Sequence, residues 1–166
     1  MDLNKYLNYI YESESNIVIE ELPDKDMKDL YPLMKRFAKS TNDSSYFSYR
    51  DEPIESRLKK VLEKGHIVLV ARDNNEIVGL LIGVTKQGAV GQINMVYVDK
   101  PYRGIGLAEK MFKQVVEWLK QHKRPIVRVS VMGMNLRAQK FYKKMGFVVY
   151  SIKLRNKESK NIKSNW

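Results

Sequence analysis

Cysteine is absent from the 166 residues, and histidine occurs only as His66 and His122. The lack of cysteine excludes disulfides, thiolate zinc ligands and a cysteine nucleophile. A histidine-rich metal site or a Ser-His-Asp centre would have to use one of two imidazoles, which disfavours both. Long hydrophobic runs are also missing, because the longest, residues 77–84, is less than half of the roughly 20 residues that a membrane-spanning helix needs.

The sequence has no Pro/Gly/Ser-rich linker, internal repeat or low-complexity block, and no basic segment followed by an apolar run at its start. We therefore expect a soluble, cytoplasmic chain without a secretory signal. Its length suits one domain over residues 1–166. We place the core at about residues 17–153, between an N-terminal extension (1–16) and a basic tail (154–166).

Positive charge is concentrated in the second half of the chain. Residues 100–166 contain 17 Lys and Arg but 3 acidic residues, whereas residues 1–99 contain 13 against 16, and the whole chain carries +11. This split favours a polyanionic partner, which could be a nucleic acid, an anionic membrane or a phosphorylated cofactor. A basic, well-solvated surface without a partner fits the charge equally well.

The hydrophobic periodicity predicts an α/β fold in the order β-α-α-β-β-β-α-β-α-β, with a mixed sheet and helices on both faces. The predicted strands span residues 17–22, 66–72, 76–85, 90–98, 126–132 and 147–153. The predicted helices span residues 24–37, 53–64, 104–123 and 135–145.

The segment VYVDKPYRGIGLA, residues 96–108, joins the fourth strand to the third helix. The first N–H groups of a helix lack partners within it, and its dipole adds positive charge there. Gly104 and Gly106 would let a phosphate approach the backbone, and Arg103 adds a cation. The segment predicts a diphosphate site, although such a turn also occurs without a ligand. The chain lacks the phosphate loop G-x-x-x-x-G-K-[ST] of nucleoside triphosphatases. The dinucleotide-binding pattern G-x-G-x-x-G does not fit either, because it breaks at Glu109.

Two motifs in this region resemble those of a known family. Residues 103–108, RGIGLA, fit the signature [QR]-x-x-G-x-[GA], and residues 135–147, NLRAQKFYKKMGF, fit N-x-x-A-x-x-[FL]-Y-x-x-x-G-F. At this spacing the chain resembles the GNAT superfamily of acetyl-CoA-dependent N-acetyltransferases. The resemblance is strong over residues 92–147 and extends by element order over residues 17–152.

The resemblance implies a GNAT-like fold, acetyl-CoA as the acetyl donor, no metal, and direct attack of a neutral amine on the thioester. It implies that Asn135 binds the pantetheine and that Tyr142 protonates the leaving thiolate. The backbone of the fourth strand would pair with the pantetheine amides through Met95, Val96, Tyr97 and Val98. The pyrophosphate would rest on Arg103, Gly104, Ile105, Gly106, Leu107 and Ala108.

Several of these roles have structural alternatives. Asn135 also suits a helix N-cap, and Tyr142 could be a core residue whose ring packs against its neighbours. Many family members carry a glutamate as the base on the fourth strand, where this chain has Gln92 and Asn94. Amides cannot act as bases near neutral pH. The base could be Glu20 or Glu21 on the first strand, or the amine could arrive neutral.

The acceptor is less well defined. The resemblance places the acceptor wall between the first two helices, at residues 46–52. There Asp51 and Glu52 could attract a cationic amine, although they fit the start of the second helix better. We expect an N-acetyltransferase that acts on a primary amine of a small molecule, peptide or protein.

Two alternatives come from other classes of protein. One is a nucleic-acid-binding module that uses the lysines of residues 110–123 and 153–163. The other is a catalytically silent domain that binds acetyl-CoA and regulates another process. The expected partners are acetyl-CoA and an amine, without a membrane or a nucleic acid, and a homodimer stays open.

Overall fold

In the parts of the chain that the computed structural model describes, residues 17–41, 56, 58–59 and 65–153, five strands form one mixed sheet. The sheet order is β1-β2-β3-β4-β5. Neighbouring strands are antiparallel except β4 and β5, which are parallel. The strands are β1 (Ile17–Glu21), β2 (His66–Asp73), β3 (Glu76–Thr85), β4 (Val90–Val98) and β5 (Ile126–Val129).

Helices cover both faces of this sheet, which confirms the predicted fold class. They are α1 (Tyr31–Thr41), α2 (Leu107–Gln121) and α3 (Leu136–Lys144), with 3-10 turns at Asp24–Leu30 and Lys100–Tyr102. Residues of α1 pack on one face, and residues of α2 and α3 pack on the other. No helix in these described ranges is long and apolar enough to cross a membrane.

Parts of the predicted architecture lie outside the described residues. Of the predicted helix at residues 53–64, only Ser56, Leu58 and Lys59 are described; they are helical, and Leu58 is buried with the apolar residues of α1. The expected acceptor wall at residues 46–52, the N-terminal extension and the tail beyond residue 153 lie outside the described residues as well.

The predicted final strand, residues 147–153, is wrong, and β5 ends at Val129 instead of Met132. The segment has the apolar composition of a strand, but no described strand pairs with it. Four of its large apolar side chains are at least 76% exposed: those of Val148, Val149, Tyr150 and Ile152. It touches β5 through Arg128, whose guanidinium carbon lies 4.8 Å from the Tyr150 ring centroid. Without ladder hydrogen bonds, strand propensity alone does not make a strand.

Small residues bring α2 close to the sheet. A Cβ atom at Gly83 in β3 would lie 2.4 Å from Cγ1 of Val115 in α2, and one at Gly91 in β4 would lie 2.6 Å from Cδ2 of Leu119. The helix can therefore approach the sheet only because both positions lack a side chain. This packing holds the C-terminal half of α2, which contains Val115 and Leu119, against the sheet.

We expect Gly83→Ala to lower the free energy of unfolding by about 1–3 kcal/mol, because the new methyl group overpacks the β-branched Val115. Gly133→Ala is the matched control, since a Cβ atom at Gly133 would meet no heavy atom within 4 Å. Chemical denaturation measures both variants. Equal stability of the two variants would show that the approach of α2 does not depend on Gly83.

Candidate active site

The central feature of the site is a break between β4 and β5. Their pairing runs only from Val90↔Ile126 to Ile93↔Val129. At the same point β4 changes register with β3, because Gly83 pairs with Ile93 and Ile82 pairs with Met95. Asn94 is the extra residue between these two pairs, as in a β-bulge. Such bulges bend the strand that contains them.

Beyond the bulge, residues Met95, Val96, Tyr97 and Val98 form an edge to which no strand of the described chain is paired on the β5 side. Their side chains pack into the apolar clusters on the two faces of the sheet. Met95 and Tyr97 pack with the α1 side, and Val96 and Val98 with the α2 side. The backbone N–H of Asp99 donates to Val78 of β3, and backbone groups alternate along a strand, so those of Val96 and Val98 face the open edge. An extended molecule with amide groups can pair with such an edge as an added strand.

The loop after β4 combines inward apolar side chains with outward glycines. Leu107 is buried in the core, and Ile105 and Ala108 pack against it. Gly104 and Gly106 have φ angles of +88° and +87°, and a Cβ atom on either would meet no heavy atom within 4 Å. Gly106 is the residue before α2, and no side chain caps the helix there. An uncapped helix start that follows two glycines with open space around them is suited to bind an anion on its first backbone N–H groups.

Arg103 lies along the end of β4. Its Nε donates a hydrogen bond to the carbonyl oxygen of Val98 at 2.6 Å, and its guanidinium carbon lies 5.5 Å from the centroid of the Tyr97 ring. Within the described residues, no carboxylate forms an ion pair with it. Burial raises the pKa of the Tyr97 hydroxyl, so the ring beneath Arg103 stays neutral.

Arg137 is a site residue that the sequence reasoning missed. Partial burial lowers the pKa of its guanidinium, and the nearby charge of Arg103 lowers it further. The charge of Arg103 therefore acts on Arg137, although one follows β4 and the other is in the first turn of α3. Arg137 also has no ion-pair partner among the described residues. In the sequence, the sign that Arg137 could belong to the site is its position two residues after Asn135. The effect of Arg103 on it follows only from the fold.

Asn135 caps α3, as one of its two predicted roles requires. Its Oδ1 accepts a hydrogen bond from the backbone N–H of Ala138 at 3.0 Å. The side-chain NH₂ group is a separate donor, so capping does not use up the group that could bind a ligand. The predicted contact with pantetheine stays a prediction.

Tyr142 is only 6% exposed and belongs to the core cluster that also contacts Val96 of β4 and Val129 of β5. Its ring packs against three phenylalanines, with centroids 5.1–6.3 Å apart: Phe112, Phe141 and Phe147. Burial raises the pKa of the hydroxyl far above its usual value. Tyr142 is therefore a protonated donor throughout the physiological pH range, on the side of the sheet where β4 and β5 separate.

The two amides that stand in place of the expected glutamate bind each other. Nε2 of Gln92 donates to Oδ1 of Asn94 at 3.0 Å. The proposed alternatives, Glu20 and Glu21, are wrongly placed, because β1 is three strands from β4 in the sheet, which is roughly 14 Å at usual strand spacing. Glu20 is also paired with Arg72. The first strand therefore supplies no base to this site.

Comparison with known proteins agrees with this geometry. Residues 27–147 match the acetyltransferase (GNAT) family. An uncharacterized N-acetyltransferase of Archaeoglobus fulgidus is 24% identical over 130 residues, which cover 74% of this chain and 88% of the relative.

Two solved structures share the fold. An aminoglycoside acetyltransferase from an uncultured soil metagenomic sample superimposes with a TM-score of 0.64 at 21% identity, over 85% of this chain and 98% of that one. The enzyme AAC(6')-Iy, in complex with the bisubstrate analog CoA-S-monomethyl-acetylneamine, gives 0.65 at 14% identity over the same shares. Since the family match spans most of the sequence and includes both the glycine loop and the α3 motif, this chain belongs to the GNAT family of acetyltransferases.

Proposed function

We propose that the protein is an N-acetyltransferase that transfers the acetyl group of acetyl-CoA directly to a primary amine. The observation that carries this proposal is the break in the sheet after Asn94, which lies beside an open glycine loop at the start of α2. The two features together suit a ligand that has an amide-containing arm at one end and a diphosphate at the other. Acetyl-CoA has this composition.

The residues present fit such a ligand in three places. The open edge of β4 offers backbone donors and acceptors to the pantetheine amides. The side-chain NH₂ group of Asn135, which the N-cap does not use, is a further donor. The loop of residues 103–108 receives the diphosphate on the first N–H groups of α2. Arg103 and Arg137, which have no carboxylate partner among the described residues, supply the positive charge that this diphosphate needs.

The chain's residues have defined tasks in the transfer. Backbone N–H groups near Val96 are the available donors for the thioester oxygen as negative charge develops on it. A C–N bond forms as the C–S bond breaks, and the sulfur leaves as a thiolate that gains a proton. Tyr142 is the donor for that proton, because its buried hydroxyl stays protonated. The absence of a base on β4 favours an amine that arrives neutral. Its nitrogen loses one proton to water as the amide forms, and the Tyr142 phenolate regains one proton from water.

The acceptor is tested directly by measuring CoA release from acetyl-CoA with a panel of amines. The panel contains polyamines, amino acids, aminoglycosides, and peptides with a free N-terminus or a lysine. We expect turnover with at least one of these classes. If acetyl-CoA binds but no amine is acetylated, the protein is the silent acetyl-CoA-binding domain instead.

Gly106→Ala is expected to lower the affinity for CoA by about tenfold, or about 1.4 kcal/mol. The methyl group would occupy the open space above the start of α2. Gly88→Ala is the matched control, because Gly88 also has a positive φ, +64°, with open space around it, but lies in the turn before β4. Both variants should lose about 1–2 kcal/mol of stability through backbone strain. Calorimetry that finds the same affinity loss in both would remove the loop from the site.

Tyr142→Phe is expected to lower kcat by about 10- to 1,000-fold while the KM for acetyl-CoA stays similar. The substitution keeps the ring in its aromatic cluster and removes only the donor to the developing thiolate. Tyr150→Phe, which removes a hydroxyl from an exposed ring, is the control and should keep full kcat. Steady-state kinetics with the best amine of the panel measures both. Full kcat in Tyr142→Phe, where chemistry limits the rate, would make Tyr142 a structural residue only.

A further inference from the structure

Asp99 is the one charged residue that is buried in the described part of the chain, with 8% of its surface exposed. It directly follows β4 and begins the turn that leads to Arg103 and the glycine loop. Its backbone N–H donates to the carbonyl of Val78, and its own carbonyl accepts from the N–H of Tyr102 at 3.0 Å. A buried carboxylate needs a cation or several donors. The orientation of this turn therefore depends on what binds the Asp99 side chain.

Arg36 of α1 is that partner. Its Nε donates to Oδ2 of Asp99 at 2.8 Å, and its Nη2 donates to the carbonyl of Ile77 at 2.6 Å. Its Nη1 forms an ion pair with Oε1 of Glu76 at 2.9 Å. One guanidinium thus joins α1 to the start of β3 and to the end of β4. The planar fork of arginine suits such a set of fixed contacts, whereas lysine has a single nitrogen.

A second contact joins α1 to the same loop. The ring of Phe37 in α1 meets the ring of Tyr97 edge to face, with centroids 5.2 Å apart. Tyr97 in turn lies beneath the guanidinium of Arg103. Tyr102, one residue before Arg103, is held from the other side because its hydroxyl donates to Oδ2 of Asp73 at 2.7 Å. This hydrogen bond raises the pKa of Tyr102 to about 12.

We propose that Arg36 is a positioning residue for the phosphate loop: by holding Asp99 it fixes the turn that sets Arg103 and the start of α2. The proposal rests on the proposed function, since the ligand whose affinity is measured is acetyl-CoA. Arg36 itself stays on the α1 side of the sheet and acts through Asp99. Sites bind well when their supporting contacts hold the binding groups in place before the ligand arrives.

The test compares Arg36→Met with Arg72→Met. Arg72 is a matched control because it is also a half-buried arginine with two ion pairs, to Glu20 and Asp29, but those contacts are at the β1 edge of the sheet. We expect Arg36→Met to raise the Kd and the KM for acetyl-CoA by about tenfold with little change in kcat. Arg72→Met should bind like the wild type even where its stability loss is similar.

Amide hydrogen exchange without ligand gives a readout independent of activity. Residues 100–106 should exchange faster in Arg36→Met than in Arg72→Met. Arg36→Lys, which keeps the charge but loses the fork, should fall between the wild type and Arg36→Met in Kd. It also serves as the folded variant if Arg36→Met does not fold.

Two results would overturn the proposal: a Kd for the Arg36 variants equal to that of the wild type, or the same Kd increase in Arg72→Met. Failure of the wild type to bind acetyl-CoA would instead contradict the proposed function.

Discussion

The separation of β4 from β5 at Asn94 is the constraint on which the rest of the site depends. In a complete parallel pair, the backbone N–H and C=O groups that face the neighbouring strand are used in the ladder between the two strands. Here the ladder stops at Ile93 and Val129, so no described strand lies beside residues 95–98 of β4 on that edge. Leaving backbone groups unpaired inside a sheet is costly unless water or a ligand satisfies them. A fold that keeps such an opening is therefore suited to bind an extended amide-containing molecule.

The elements around the opening have complementary tasks. Glycines of β3 and β4 let α2 pack closely against the sheet, and the glycine loop joins the end of β4 to the start of this helix. The aromatic cluster of α3 buries Tyr142 and keeps its hydroxyl protonated. Arg103 and Arg137 belong to different elements, and the charge of Arg103 lowers the pKa of the Arg137 guanidinium.

Sequence reasoning predicted the features that depend on local pattern. The three-stranded meander, the long α2 and the glycine loop all follow from periodicity and from residues that suit turns. The structure also confirms Asn135 as an N-cap. Features that depend on distant contacts were missed. Nothing local shows that the charge of Arg103 acts on Arg137, or that Arg36 binds Asp99, 63 residues away. The error at residues 147–153 has the same origin, since a strand needs a partner as well as β-branched residues.

The most direct test of the account is amide hydrogen exchange of the wild-type protein with and without saturating acetyl-CoA. If the opening is the binding site, exchange should slow at two separate places: the amides of Val96 and Val98 on the open edge of β4, and residues 104–108 at the start of α2. Exchange in the paired strands β1 and β2 should be unaffected, because these strands lie toward the opposite edge of the sheet, away from β4 and β5. Protection confined to other residues, or none at saturation, would contradict the claim that the break after Asn94 holds the acetyl donor.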